Sequence, residues 1–370
     1  MAKKRKKSDT VDGNQTHNLL SKKYGKIIQS GTEVLQSLET YKTISLAPAL
    51  DIALGGGIRE GQCVVMTGDP KTGKTTTALY FAAKAQAEGK KVYYLNTEGR
   101  LTKENFRGIK GLDIDAITVV QATDDTPIVS AETYLNVLER LIKEEEELVV
   151  IVDSTSNMVP QDEIDGEIRT GVRNALPRLL SMFFKRISGD VARMKAIAIF
   201  ITHNIANTGG SRFSPSKMAD CGNMLQFQAG TNMVITHRGK WEVPKESGNH
   251  VGQVANWIVK TSAAGGTPMT KASSWIKYGI GIDEAQELAQ IATEFAMISA
   301  RGAWYTFTTF VENKDNPIIK SWLLDNEVEL TDEAIEKAFK FQGMEKVVNF
   351  LNQNPALLEF LYDEVKDIFV

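Results

Sequence analysis

Cysteine is nearly missing from this 370-residue chain: Cys63 and Cys221 are the only two, in no metal-ligand or redox spacing. That excludes a disulfide framework and a zinc site, and it fits a reducing compartment. No apolar run approaches the roughly 18–20 residues that a membrane span needs, and no secretory leader is legible at the start. The cytoplasm is therefore the expected location, with no membrane partner. Internal repeats and low-complexity segments are also lacking. A strong net charge is missing too, since 43 Lys and Arg offset 46 Asp and Glu to leave −3. The balance hides an asymmetry. From Asp283 onward 17 acidic residues stand against 7 basic ones, whereas the first 282 residues carry 36 basic and 29 acidic. A mildly basic body with an acidic end suits a polyanion partner whose access the end modulates, and equally a solvated acidic helix pair.

What is present alternates. The basic tip "MAKKRKK" reads as a nucleic-acid contact, an import signal or a solubilising tail. A small helical element with broken periodicity follows over residues 18–38. Then "CVVMTG" predicts a strand, "KTTTALYFAAKAQAEG" a helix closed by Gly, and "KKVYYLNTE" a second strand. Helix "SAETYLNVLERLIKEEEE" precedes strand "LVVIVDS", and helix "RNALPRLLSMFFKRISGDVARM" precedes strand "AIAIFITHN". Continuous apolar strands separated by helices predict an α/β fold with a parallel sheet covered on both faces. Strand-like runs "TNMVITHR", "ANWIVKTS" and "SSWIKYG" come next, and the pattern past Asp283 is helical, interrupted by a short hairpin at "GAWYTF".

Gly68-Asp69-Pro70-Lys71-Thr72-Gly73-Lys74-Thr75 matches the eight-position phosphate loop, between a strand and a helix as it must be. Its glycines let backbone amides curl around a phosphate at the positive end of the following helix. In this motif Lys74 bridges the β- and γ-phosphates, and Thr75 offers its hydroxyl to Mg2+. Asp153 ends the strand "LVVIVDS", where a carboxylate reaches the Mg2+ shell. Glu98, at the end of "KVYYLNTE", is placed to deprotonate an attacking water. His203, at the end of "AIAIFITH", can reach a γ-phosphate across the sheet top. The bland alternatives are solvent-exposed strand-end carboxylates and a structural histidine. The set predicts a hydrolysable ATP site. A switch GTPase is disfavoured, because no guanine-reading Asn-Lys-x-Asp follows a later strand, and nothing announces a second substrate for a kinase.

Two polar, glycine-containing stretches follow core strands. The first, "EIDGEIRTGVRN", spans residues 163–174 and contains Arg169, Val172 and Arg173. The second, residues 204–224, shows no periodicity, carries Arg212 and Lys217, and begins beside His203. A loop that long inside a domain is functional or disordered, and its junction with a γ-phosphate sensor suggests order that depends on ATP. Between the loops Arg178 and Lys185 stand seven residues apart on one helix face, a basic strip suited to phosphodiesters.

In sum the chain resembles the RecA family of recombinases over nearly its whole length. "ISLAPALDIALGGGIREGQ" is similar to the family's approach to its core, "EIDGEI" to the start of its first DNA-binding loop and "CGNMLQF" to the close of its second. "GAWYTF" and "GMEKVVNFLNQNPALLEFLYDEVKDI" resemble its small C-terminal domain. His203, where bacterial members usually carry Gln, is more like the phage-encoded UvsX branch, while the spacers and C-terminal region resemble the bacterial proteins.

The resemblance implies a RecA-type P-loop ATPase core with a mostly parallel central sheet. The expected divisions are a basic tail and oligomerisation element at 1–45, the core at 46–284 and a small acidic α+β domain at 285–370. It implies head-to-tail helical filaments on single-stranded DNA with ATP and Mg2+, pairing with homologous duplex, and strand exchange in a bacterial or phage-infected cell. Single-strand-binding and loader proteins would be further partners. Lys74, Thr75, Thr76 and Asp153 fall on the nucleotide positions, Glu98 on the general base and His203 on the sensor joining the γ-phosphate to the second loop. Arg178, Ser181, Lys185 and the Gly222-Asn223 turn fall on DNA-backbone positions. Tyr278 and Phe106 fall near the adenine. Ile205 and Phe213 are candidates for the apolar side chain that wedges between bases, and the first loop offers Val172 or Arg173. The family reaches across its subunit interface with two lysines two apart; here Lys260 matches, the second position is Ser262, and Lys271 is nearby. The alternatives are a ring-forming helicase of the same core, which usually brings a larger N-terminal domain, and an ATP-gated DNA-coating protein without turnover, which has no need of Glu98.

Overall fold

The computed structural model describes residues 13–166, 175–206, 217–220, 223–243 and 246–369. The chain divides into two units, Met1–Lys42 and Thr43–Val370. In the first, helix α1 (Gly13–Tyr24) gives way at Gly25 to a single 3₁₀ turn, and α2 (Gly31–Leu38) follows. Ser30 starts α2 with a capping box: its hydroxyl accepts from the Glu33 amide, and the Glu33 carboxylate accepts from the Ser30 amide. The break in periodicity is thus a break between two helices. The basic tip lies outside the described residues.

The second unit opens on a two-residue ladder between β1 (Thr43–Ile44) and β2 (Ile58–Arg59), which brackets α3 (Pro48–Leu54). The main sheet is built from β3 (Gln62–Gly68), β4 (Lys91–Asn96), β5 (Ile117–Gln121), β6 (Leu148–Asp153), β7 (Ile197–Ala206), β8 (Lys217–Ala219), β9 (Thr231–Glu242), β10 (His250–Thr261), β11 (Thr270–Lys277) and β12 (Gly281–Ile282). Its order is β12-β11-β10-β9-β3-β7-β6-β4-β5, with β8 paired to β7. From β9 to β5 the strands run parallel, and β10, β11 and β12 add an antiparallel wing. Every residue of β3 and β6 is buried, as expected of strands covered on both faces.

Alternation within β3 feeds both cores. Val64 and Met66 pack with Leu79 and Phe81 of α4 (Lys74–Ala87), while Cys63 and Val65 face the opposite layer. That layer holds Leu138 of α6 (Ala131–Glu144) and Phe184 of α8 (Ala175–Arg193). Phe184 sets its ring edge-on to Phe200 of β7, with centroids 4.9 Å apart. Short helices α5 (Lys103–Arg107), α7 (Gln161–Asp165) and α9 (Asn223–Gln228) join these elements.

A third apolar cluster organises the C-terminal region. It contains α10 (Glu284–Glu294), β13 (Ile298–Arg301), β14 (Trp304–Phe307), α11 (Thr308–Glu312), α12 (Pro317–Asp325), α13 (Asp332–Ala338), β15 (Lys340–Gln342), α14 (Met344–Gln353) and α15 (Pro355–Phe369). The hairpin expected at "GAWYTF" is β13–β14, and β15 adds a third strand to it.

The sequence pattern missed several elements. Strand β5 carries mixed burial at the sheet edge and shows no clean alternation. The second polar stretch is not featureless: Asn204, Ile205 and Ala206 pair antiparallel with Ala219, Met218 and Lys217. Its two ends are therefore zipped into a stem that continues β7.

A buried carboxylate cluster fastens α15 and α10 to the core. Asp51 of α3 accepts from the Leu46 amide, the Ser45 hydroxyl and the Tyr362 hydroxyl. Glu287 of α10 accepts from the Ala49 and Trp275 amides. Burial pushes Asp51 up to about 6 against the hydrogen bonds from Ser45 and Tyr362, with the Lys366 charge also opposing. Burial pushes Glu287 up to about 8, with Glu284 and Asp51 adding to the rise. Both carboxyls hold protons more tightly in the folded chain than in the unfolded one. The folded form is favoured at low pH and loses that advantage as pH rises through about 6 and then about 8. Hydrogen exchange in α15, relative to β3, is expected to quicken as pH rises from about 4 to about 8, and to level off above that, once intrinsic rates are removed. Tyr362→Phe should destabilise this packing by about 1–2 kcal/mol in denaturant melts.

Candidate functional site

Backbone conformation and local hydrogen bonds shape the phosphate loop. Gly73 caps α4 at φ 108°, and a Cβ there would lie 2.4 Å from Ile276 Cδ1, so a side chain is excluded by both conformation and space. Lys71 adopts φ 60°, a left-handed backbone unusual for lysine, and its carbonyl accepts from Arg238 Nη1 at 3.1 Å. Thr72 Oγ1 donates to the Asp69 carbonyl at 2.8 Å and closes the turn.

Lys74 Nζ, buried, donates to the carbonyls of Gly68 at 2.9 Å and Asp69 at 2.8 Å, and lies 3.4 Å from His203 Nδ1. Burial brings Lys74 down to about 8, although Asp153, Glu98 and Asp69 all favour its charge. Thr75 Oγ1 donates to Asp153 Oδ2 at 2.6 Å, and the Tyr94 hydroxyl donates to the same oxygen at 2.7 Å. Burial raises Asp153, against the hydrogen bonds from Thr75 and Tyr94.

Glu98 sits two residues beyond β4. Its Oε1 accepts from Ser154 Oγ at 2.9 Å and shares a short hydrogen bond with His203 Nε2. The His203 bond holds Glu98 below the usual carboxylate range, in spite of partial burial. The His203 amide donates to Ser156 Oγ at 3.0 Å, which fixes the backbone at the strand end.

Lys74, Thr75, Tyr94, Glu98, Asp153 and His203 line one cavity of about 390 Å³. A neighbouring cavity of about 460 Å³ shares Thr76, Asn105 and Gln253 with it and reaches Arg107 and the exposed Tyr278. Together they offer a phosphate chamber and, beside it, room for a base and sugar. Tyr278 lines the second cavity. Phe106 does not line either cavity; it packs on the core with its ring 6.1 Å from Tyr94, and Asn105 faces the cleft instead.

On α8, Arg178 and Lys185 are exposed and Ser181 is half-buried between them, at i, i+3 and i+7. The opposite stripe, Leu180, Phe183, Phe184 and Ile187, is buried. Ile205 is 39% exposed on the β7–β8 stem. Lys217 begins β8 and Asn223 begins α9. Arg169, Val172, Arg173, Arg212, Phe213 and Gly222 lie outside the described residues. Lys260 is half-buried near the end of β10. Ser262 donates to the Leu54 carbonyl and accepts from the Ala264 amide, a brace rather than a charge. Sequence reasoning missed Tyr94, Ser154, Ser156 and Gln253. Gln253 comes from β10, far from the phosphate loop in sequence, and Tyr94 reaches Asp153 across the neighbouring strands β4 and β6.

Residues 14–283 match the family described as RecA N-terminal domain. The chain belongs to the RecA family. It is 31% identical over 346 residues to Protein RecA of Thermotoga neapolitana, covering 93% of this chain and 88% of that one. It is 30% identical over 354 residues to Protein RecA of Streptococcus parasanguinis, covering 91% and 89%. Membership makes this protein a DNA recombinase: a DNA-dependent ATPase that binds single- and double-stranded DNA and associates with itself. Among the described residues no helix is long and apolar enough to cross a membrane.

For this RecA-family cleft, phosphate binding should raise Lys74 from about 8, so that binding takes up a proton above that pH. The Kd for ATP, followed by calorimetry, should climb by up to about tenfold per pH unit above 8. A flat profile between pH 7.5 and 9.5 would show that Lys74 does not meet the phosphates.

Proposed function

We propose that this protein assembles head-to-tail into a helical filament on single-stranded DNA, hydrolyses ATP at the cleft of Lys74, Thr75, Glu98, Asp153 and His203, and exchanges strands with a homologous duplex. The observation that carries the catalytic part is the contact set at the strand ends, where Glu98, His203 and Lys74 form one continuous polar chain. Thr75 and Asp153 supply hard oxygen donors 2.6 Å apart, a set that fits Mg2+. When bound there, Mg2+ would neutralise charge on the β- and γ-phosphates.

Glu98 is ionised at neutral pH and takes the proton of the attacking water as that water's oxygen bonds to the γ-phosphorus. The β–γ bridging bond breaks, and Lys74 stabilises the charge left on the β-phosphate. To do this Lys74 leaves the Gly68 and Asp69 carbonyls and turns to the phosphates. His203 exchanges Glu98 for a γ-phosphate oxygen, which frees the base and reports the γ-phosphate to the β7–β8 stem that His203 adjoins. Tyr278 covers the base. On this reading Arg178, Ser181 and Lys185 meet the DNA backbone, and binding ignores base sequence. We place the protein in the cytoplasm, with single-strand-binding and loader proteins as further partners.

ATP hydrolysis with and without homopolymeric single-stranded DNA, with the products imaged by negative-stain electron microscopy, tests this. Strong stimulation with long filaments is expected; discrete rings would point to a helicase, and coating without turnover to a binding protein. Glu98→Gln should keep filaments and ATP binding while slowing turnover by at least about 100-fold. Arg178→Ala and Lys185→Ala should each flatten the salt dependence of DNA affinity by about one unit of slope.

A further inference from the structure

The second residue of the phosphate loop is an acid, Asp69, an odd neighbour for a triphosphate. A carboxylate this close repels the ligand unless something holds it aside. Asn204 does so: its Nδ2 donates to Asp69 Oδ1 at 3.2 Å. The meeting follows from the sheet. Gly68 and His203 are partners in the β3–β7 ladder, so the next residue of each strand leaves the sheet top beside the other.

Both residues have a second attachment. Asp69 offers its backbone carbonyl to Lys74 Nζ and to Thr72 Oγ1, so it belongs to the phosphate cradle. Asn204 is the first residue of β7 to pair with β8, opposite Ala219, and the Asp220 amide donates to the adjacent His203 carbonyl at 3.0 Å. One hydrogen bond therefore joins the loop that receives phosphate to the stem of the second polar loop. It is separate from the contact of His203 with Lys74 and Glu98.

We infer that Asn204 is a positioning residue that couples nucleotide occupancy to the second DNA-binding loop through Asp69. When Lys74 turns from the Asp69 carbonyl to the phosphates, Asp69 loses a tether on its cradle side. Its side chain carries that change to Asn204 and the stem. Asn204 also keeps the Asp69 carboxylate turned from the phosphates, so occupancy and stem position are linked in both directions. This rests on the proposed function above, because it requires a loop that answers to DNA.

The test is the ratio of DNA-stimulated to DNA-free ATP turnover in full-length protein. Asn204→Asp sets two carboxylates face to face and should lower the ratio by about tenfold, within the usual range of coupling between sites. The exchanged pair, Asp69→Asn with Asn204→Asp, restores a donor facing an acceptor and should recover the ratio to within about threefold of wild type. A merely structural role would lower DNA-free and DNA-stimulated turnover together and leave their ratio unmoved. Asn204→Ala, which removes the donor without adding charge, gives the same reading if Asn204→Asp does not fold, and should also lower the ratio. Wild-type stimulation that persists in Asn204→Asp or Asn204→Ala would overturn the inference. So would a folded exchanged pair that is no better than Asn204→Asp. A wild-type protein with no DNA stimulation would instead overturn the functional reading, and the inference with it.

Discussion

Gly68 stands opposite His203 in the β3–β7 ladder, and Asp153 opposite Asn96 in the β6–β4 ladder, and this parallel register places every reacting group. Parallel strands covered on both faces present their carboxyl ends on one side, where ligands of open α/β sheets bind. The phosphate loop leaves β3 there, Glu98 lies two residues past β4, Asp153 closes β6, and His203 sits beside Gly68. A slip of one residue in a parallel strand covered on both faces would swap the side chains that fill its two cores, so the packing of both cores also locks the site geometry. The catalytic arrangement depends on packing far below it.

Lys74, Thr75 and Glu98 each have protein partners in the cleft. Lys74 rests on two backbone carbonyls, Thr75 on Asp153, and Glu98 on His203 and Ser154. Buried polar groups left unpaired would each cost about 1–3 kcal/mol, so these contacts help to fix the side chains of the cleft. His203 and Asn204 contact the groups of the cleft and belong to the strand that pairs with β8, so the cleft and the β7–β8 hairpin share one stretch of backbone.

That Lys74, Thr75, Glu98, Asp153 and His203 meet in one cleft was legible in the sequence, because each follows a long apolar strand or belongs to the phosphate loop. The groups that orient them were not. Tyr94 reads as one more residue of an apolar strand, yet its hydroxyl reaches an aspartate 59 positions later. Asp51 and Glu287 look like ordinary acids of helical segments, and only the packing of α3, α10 and α15 buries them. The β7–β8 stem escaped because three paired residues carry no period against a glycine-rich background. At Phe106 a choice between adjacent residues decided the matter: in a five-residue helix Phe106 meets the core, so Asn105 meets the cleft.

Ser262 shows how a departure from the family pattern can be built into the fold. Its hydroxyl donates to the Leu54 carbonyl and accepts from the Ala264 amide, while the Gly266 amide donates to the same carbonyl at 3.0 Å. This turn lies so close to the end of α3 that a Cβ on Gly55 would come within 2.5 Å of the Gly266 nitrogen. A lysine at 262 has no group to take over both bonds, and its ammonium would have to leave that packed turn for solvent or a neighbouring molecule. The serine therefore stabilises the junction between α3 and the end of β10.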